Sequence, residues 1–490
     1  MLLAVGTGTA WLVSQSGEPT TSPPPQTQPP VKTSERPVSQ WQMPMIGAGG
    51  SDFTSGMSFA TWLTDTAIIR VQKDGVLAYD LSTGKRTWGT PSPGEQLCGA
   101  TPDAPGGVAA IAYGESGLCD HLAGIDTATG KITWQKPIHA EQATTSNTML
   151  APMIVSTDGL AITLIDGKVS AYSLTNGTVR WHATAPKDCS LRDTNAGPGR
   201  VVMLAHCLYP QPSDLVLVVD PETGKITRKH PSRPVHSGIV ASVDPIVTQI
   251  DDAKGTHFTR YDDSGKTGEV TVDEEVDLLP LNQVVAVQGM RLHYRLAIHG
   301  DRLYLASDAE NVPNSMRMRN TALAYDFKTG RRVWESSGTR ASRLAYIRAD
   351  NSGLLALEVG DHRDLSPRLI YIDAKTGNTK GLGGLPREFG SEAERAKVYE
   401  QNGAIVIVPW SSITASNAIN YYKLPYGPPA PREPHHLHIA PEPPTPHHTS
   451  STGSPAAHLL ASRTSFRRDV ETVTSTNERS ATVHISGPVR

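Results

Sequence analysis

Four cysteines pose the first chemical question: Cys98, Cys119, Cys189 and Cys207. They fall into two local pairs, Cys98 with Cys119 and Cys189 with Cys207. Neither has the CxxC spacing of redox catalysis, and no CxxCH haem-attachment motif occurs. Two even-numbered local pairs suit structural disulfides, and disulfides imply an oxidising compartment. Four buried free thiols in a cytosolic protein is the competing reading. The other groups that could do chemistry are imidazoles and carboxylates. His435-His436-x-His438 and His447-His448 could take up zinc or nickel, yet a cluster without fixed geometry or supporting hydrogen bonds reads as a solvated tail. Asp251-Asp252 and Glu274-Glu275 could pair as general acid and base, but they sit in polar runs and read as a solvated face. No Gly-x-Ser-x-Gly, Walker motif or Gly-x-Gly-x-x-Gly after a strand is present. No catalytic residue and no metal ligand is assigned.

The 490 residues carry a formal net charge of -3, so there is no basic footprint for nucleic acid. Residues 1–17 are largely apolar but shorter than the roughly 20 residues that cross a bilayer. They also lack the basic start of a signal peptide. They read as part of a transmembrane or signal segment, giving membrane contact through the N-terminus. Residues 18–37 are rich in Pro, Thr, Ser and Gln, too polar to fold, and read as a linker. Residues 425–490 are rich in Pro, His, Ser and Thr and lack Lys. They read as a disordered tail, or as the product of a reading-frame change after Leu424.

Between the tails, over 38–424, one short pattern recurs. Asp80, Gly84 and Trp88 stand at fixed spacing; so do Asp126, Gly130 and Trp134, and Asp326, Gly330 and Trp334. Gly177 and Trp181 repeat it with Ser173 in place of Asp. Asp220 with Gly224 and Asp373 with Gly377 keep the turn but carry Arg228 and Gly381 where the Trp belongs. Tyr261-Asp262-Asp263-Ser264-Gly265 is a shortened copy. The anchors recur about every 47 residues, a period typical of propeller blades. One larger gap, Asp262 to Asp326, implies an insertion near Asp308 to Asn320.

Each unit reads as short antiparallel strands. The x-x-Thr-Gly-Lys step is a hairpin turn, in which Asp caps through its side chain and Gly takes positive φ. A blade is apolar on both faces, so the recurring Trp would wedge between neighbouring blades, worth about 3 kcal/mol when buried. Stacking on a ligand is the lesser reading, because a position repeated blade after blade is packing. Near the end, Gly403–Val408 and Ala418–Leu424 look like two strands of another blade without its outer strand. Val38-Ser39-Gln40-Trp41 looks like that missing strand. The fold is therefore read as an all-β propeller of four-stranded antiparallel blades, eight of them (seven being possible), closed by the N-terminal strand.

The pattern Ala-x-Asp-x-x-Thr-Gly-Lys-x-x-Trp resembles the repeat of pyrroloquinoline-quinone (PQQ) enzymes and their non-enzymatic relatives, among them the outer-membrane assembly lipoprotein BamB. WD40 and Kelch signatures do not recur. The resemblance implies two branches. The dehydrogenases hold PQQ between a Trp and two adjacent cysteines, with a calcium ion and an Asp base. This sequence has no Cys-Cys pair and no lipobox cysteine. The expectation is a non-catalytic, monomeric binding or scaffold module, on the outer face of the cytoplasmic membrane or secreted. It would take a protein, peptide or small ligand at its blade loops and need no cofactor. The alternatives are a PQQ- and calcium-dependent dehydrogenase, or the extracellular sensor of a larger membrane protein.

Overall fold

A computed structural model of the chain describes residues 38–44 and 58–424, apart from 116–118, 139–151, 166, 209–212, 234–236, 273–275, 277–294, 314–316, 341, 361–364, 390–392, 394–395 and 410–416. The described residues form eight four-stranded antiparallel sheets. Blades 1 to 7 are Ser58–Pro91, Gln96–Pro137, Met153–Ala183, Cys189–Ser232, Ser237–Val272, Leu296–Ser336 and Leu344–Gly384. Blade 8 is Ala396–Lys423 completed by Val38–Pro44. First strands of successive blades approach one another around most of the ring, so they lie nearest the axis and fourth strands lie at the rim.

The closing strand is the one the sequence suggests. Val38–Pro44 pairs antiparallel with Asn417–Lys423, Trp41 lying opposite Tyr421. The two rings stack at 5.5 Å with their planes 8° apart. The first strand of blade 8, Ala396–Gln401, was not legible, because Lys397 and Glu400 break its apolar run. The wide gap before Asp326 has two sources. One is a hairpin, Glu310–Asn311 with Met318–Arg319, inserted inside blade 6 where the sequence places it. The other is the long connection from Val272 to Leu296 ahead of that blade.

The repeated triplet turns out to fasten each blade to the next. In blade 1, Asp80 Oδ1 accepts hydrogen bonds from the Thr83 amide and hydroxyl, both at 2.8 Å. Asp126, Asp220 and Asp373 do the same with Thr129, Thr223 and Thr376. Blade 3 has Ser173 instead, and Asn176 Oδ1 accepts from Thr178. The glycine then has φ between 66° and 73° at Gly84, Gly130, Gly177, Gly224, Gly330 and Gly377. That region favours glycine, and five of the six also have an indole of the preceding blade against them. A Cβ on Gly224 would stand 2.6 Å from Trp181, and one on Gly377 2.9 Å from Trp334. Gly84 lies likewise under Trp41, Gly130 under Trp88 and Gly177 under Trp134.

The indole also gives away its proton across the junction. Nε1 of Trp41, Trp134, Trp181 and Trp334 donates to the carbonyls of Leu81, Leu174, Pro221 and Ala374, at 3.0, 2.7, 2.7 and 2.9 Å. Each acceptor directly follows the turn Asp or Ser of the next blade. Trp41 thus closes blade 8 onto blade 1 by the same device that joins the others. Trp62 adds a further bond from blade 1 to blade 2, to the carbonyl of Thr101 at 2.8 Å. Arg70 secures the closure from within. Its buried guanidinium donates to the carbonyls of Ala418 at 2.6 Å and Pro409 at 3.3 Å in blade 8. Burial pulls its pKa down to about 10, which still leaves it charged at neutral pH.

Trp134→Ala should lower stability by about 3 kcal/mol in urea titration, and Trp41→Ala should do the same at the closure. A chain starting at Ser58 should melt at lower urea than one starting at Val38. Hydrogen bonds from Ser82 and Thr83 to Asp80, and from the counterparts of Thr83 to the other turn carboxylates, hold them below the usual range. A depressed folded pKa gives stability above the unfolded value that is lost as pH falls through the folded one. The thermal midpoint should therefore be flat from pH 7 to 5 and fall below about pH 4.

Candidate functional site

Antiparallel alternation sorts every connection to one end of the ring. First-to-second and third-to-fourth turns share one end. Second-to-third turns and the links between blades share the other. The first end is all tight turns, the longest running from Ala100 to Val108. The opposite end holds the links Pro44 to Ser58, Pro137 to Met153, Val272 to Leu296 and Gly384 to Ala396, and the inserted hairpin of blade 6. The repeat residues Asp, Gly and Trp serve the first end and the rim. They leave the long-connection end free to vary.

Both disulfides staple that variable end. Cys98 bonds Cys119, joining the first strand of blade 2 to the approach to its third. Cys189 bonds Cys207, which are register partners where the first strand of blade 4 begins and the second ends. The cysteine pairs read from spacing are thus the pairs formed. A further pin was not legible. Glu358, completely buried at the end of the second strand of blade 7, accepts from the Thr339 hydroxyl at 2.6 Å and the Arg340 amide at 3.1 Å. The Thr339 amide and the Arg340 guanidinium also donate to it. Gly338, with φ of 72°, gives this carboxylate its room. The only signal was one acid in an otherwise apolar strand.

Among the described residues four large hydrophobics are exposed, and two of them, Leu208 and Met318, sit at the same end. Leu208 follows Cys207, and Met318 lies in the inserted hairpin. Val179 and Val333 lie on fourth strands.

The carboxylate pair Asp251-Asp252 forms a hairpin cap. Asp251 accepts from Thr256 at 2.8 Å. Asp252 meets His257 at 2.9 Å and accepts from the Lys254 amide at 2.7 Å. His257 holds the Asp252 carboxyl below its usual range. Glu274-Glu275, the tail histidines and the N-terminal segment lie outside the described residues. Among the described residues no group of three His, Cys, Asp or Glu could hold a metal ion, and no helix is long and apolar enough to cross a membrane.

Residues 38–209 match the family described as outer membrane protein assembly factor BamB. That stretch runs from the closing strand through the first half of blade 4, and its blades carry the Asp-Gly-Trp clasp described above. Over those residues the chain is similar to that family. No curated protein sequence matches the chain. Solved structures similar to this propeller include BamB from Moraxella catarrhalis, 11% identical with a TM-score of 0.44, covering 79% of this chain and 100% of that one. Quinohemoprotein alcohol dehydrogenase from Comamonas testosteroni is 13% identical with a TM-score of 0.49, over 81% and 78%. A europium-containing methanol dehydrogenase is 12% identical with a TM-score of 0.44, over 76% and 84%.

The PQQ site that the repeat resemblance implies differs from what this propeller offers. It needs two adjacent cysteines, an indole face and a set of oxygen ligands. Here both disulfides join distant cysteines. Five of the repeat indoles lie against a glycine of the next blade. The described residues do not fit the quinone and its calcium in that arrangement.

A thiol count on unreduced, denatured protein should find no reactive thiol. Replacing Cys98 and Cys119 together by Ala should cost about 3 kcal/mol, the value for a closed loop of this length.

Proposed function

We propose that this propeller is a non-catalytic binding or scaffold module that meets its protein, peptide or small ligand at the long-connection end. The observation that carries this reading is the division between the two ends. One end is spent on building the ring. The other bears the variable connections, both disulfides, the buried Glu358 pin and the exposed Leu208 and Met318. Loops fixed on a rigid scaffold are where binding residues concentrate. Pinning them in advance lowers the ordering cost of association.

The reading places the protein outside the cytoplasm, where both disulfides persist, with residues 1–17 as its membrane attachment. The topology suits such a tether. Val38 pairs with Lys423, so the chain enters and leaves the ring side by side at the tight-turn end. A tether there points the long-connection end away from the membrane.

Site-specific photo-crosslinking in the source cell tests the reading. A crosslinker at Leu208 or Met318 should capture a discrete adduct, and one at Lys85 or Lys225 should capture none. Adducts from the tight-turn end alone would overturn it. So would dye-linked alcohol or sugar oxidation after reconstitution with PQQ and calcium, which would establish the dehydrogenase instead.

A further inference from the structure

The two disulfides sit in different surroundings. Cys98 and Cys119 are 2% and 9% exposed, and they belong to an apolar cluster with Leu122 of blade 2 and Ile154 and Tyr172 of blade 3. Cys98 is the extra residue of a bulge, between the register pairs Leu97–Tyr113 and Gly99–Ala112. Its bond ties two parts of blade 2 that no strand pairing joins, beneath side chains of two blades.

Cys189 and Cys207 instead face one another across paired strands, their Cα atoms 3.9 Å apart. The ladder continues on both sides of them. On one side Ser190 pairs with His206 and Leu191 with Ala205. On the other the Leu208 amide donates to the Asp188 carbonyl at 3.1 Å. Cys207 is paired with Ser213 of the third strand as well. Backbone pairing therefore holds both cysteines in place whether or not their sulfurs are joined. Cys207 is buried, at 5% exposure. Cys189 is partly exposed, and Lys187, Asp188 and Ser190 around it are exposed. Cys189 Sγ lies 3.5 Å from the Lys187 carbonyl, which would accept a hydrogen bond from the thiol once the disulfide opens.

Thiol–disulfide exchange requires a thiolate to reach one of the two sulfurs, so access decides which bond reacts. We propose that Cys189–Cys207 is an exchange site for an external dithiol in the folded protein, with Cys189 as the attacked sulfur, and that Cys98–Cys119 is closed to it. One thiolate of the dithiol attacks Cys189 Sγ and forms a mixed disulfide. The bond to Cys207 breaks, and Cys207 leaves as a thiolate that takes up a proton. The second thiol of the dithiol loses its proton and attacks the dithiol's own sulfur in the mixed disulfide. Cys189 then leaves and is protonated in turn. The protein disulfide is reduced to two thiols, and the dithiol is oxidised to a disulfide. The strand pairing keeps the two thiols side by side, so the reverse reaction restores the bond without refolding.

Dithiothreitol added to the native full chain tests this, with a quench by N-ethylmaleimide and peptide mass spectrometry. Maleimide should appear on Cys189 while Cys98 and Cys119 are still joined and the circular dichroism is still native. Removing dithiothreitol and adding glutathione disulfide, without maleimide, should restore the Cys189–Cys207 bond. Two variants locate the attacked sulfur. In Cys207→Ala the remaining Cys189 should take up glutathione from glutathione disulfide without denaturant. In Cys189→Ala the remaining Cys207 should take it up only in urea. Reduction of both disulfides at one rate would overturn the proposal, as would reduction of neither before the protein unfolds. So would glutathione on Cys207 of folded Cys189→Ala with none on Cys189 of folded Cys207→Ala.

Discussion

An indole lying on a glycine of the next blade, its N–H given to that blade's backbone, is the interaction from which the ring is made. It joins three requirements in one place. The glycine must be bare, because the ring occupies the space of a Cβ. The turn must expose a carbonyl at the residue after its Asp, which the Asp side chain arranges by holding the following amides. The Trp must stand at one register position of the fourth strand. Each contact is of modest energy, but the ring repeats it and uses it once more, through Trp41, to shut itself.

This explains how much was legible before any coordinates. Residues bound by a shared geometric need repeat in type and spacing, so the blades, their number and the closing role of Trp41 could be read from the chain. The cysteine pairs were legible because each lies within one blade. What escaped notice depends on partners far apart in sequence. Arg70 is identified only by the blade 8 carbonyls it reaches. Glu358 gains meaning from a connection in front of its own blade. Gly268 meets the backbone of Phe327 in place of an indole, a contact that no single repeat displays. The candidate binding end was least legible of all, since nothing in the clasp constrains what stands there.

The same division bears on function. The repeated triplet of the sequence accounts for packing and turn closure. Chemistry specific to this protein must come from residues the repeat does not dictate, and those gather where the disulfides and the Glu358 pin are. A propeller can therefore keep its ring and change its partner with little cost to folding.

Val38 and Lys423 are opposite one another on adjacent antiparallel strands, and both lead out of the ring. A load applied between the two chain ends would act at that pair first. It would pull the closing strand away one hydrogen bond at a time, like a zipper, rather than sliding the two strands past each other with all their bonds sharing the load. The ring is therefore a mechanical fuse. It resists heat and denaturant through every clasp together, and resists traction through one strand alone.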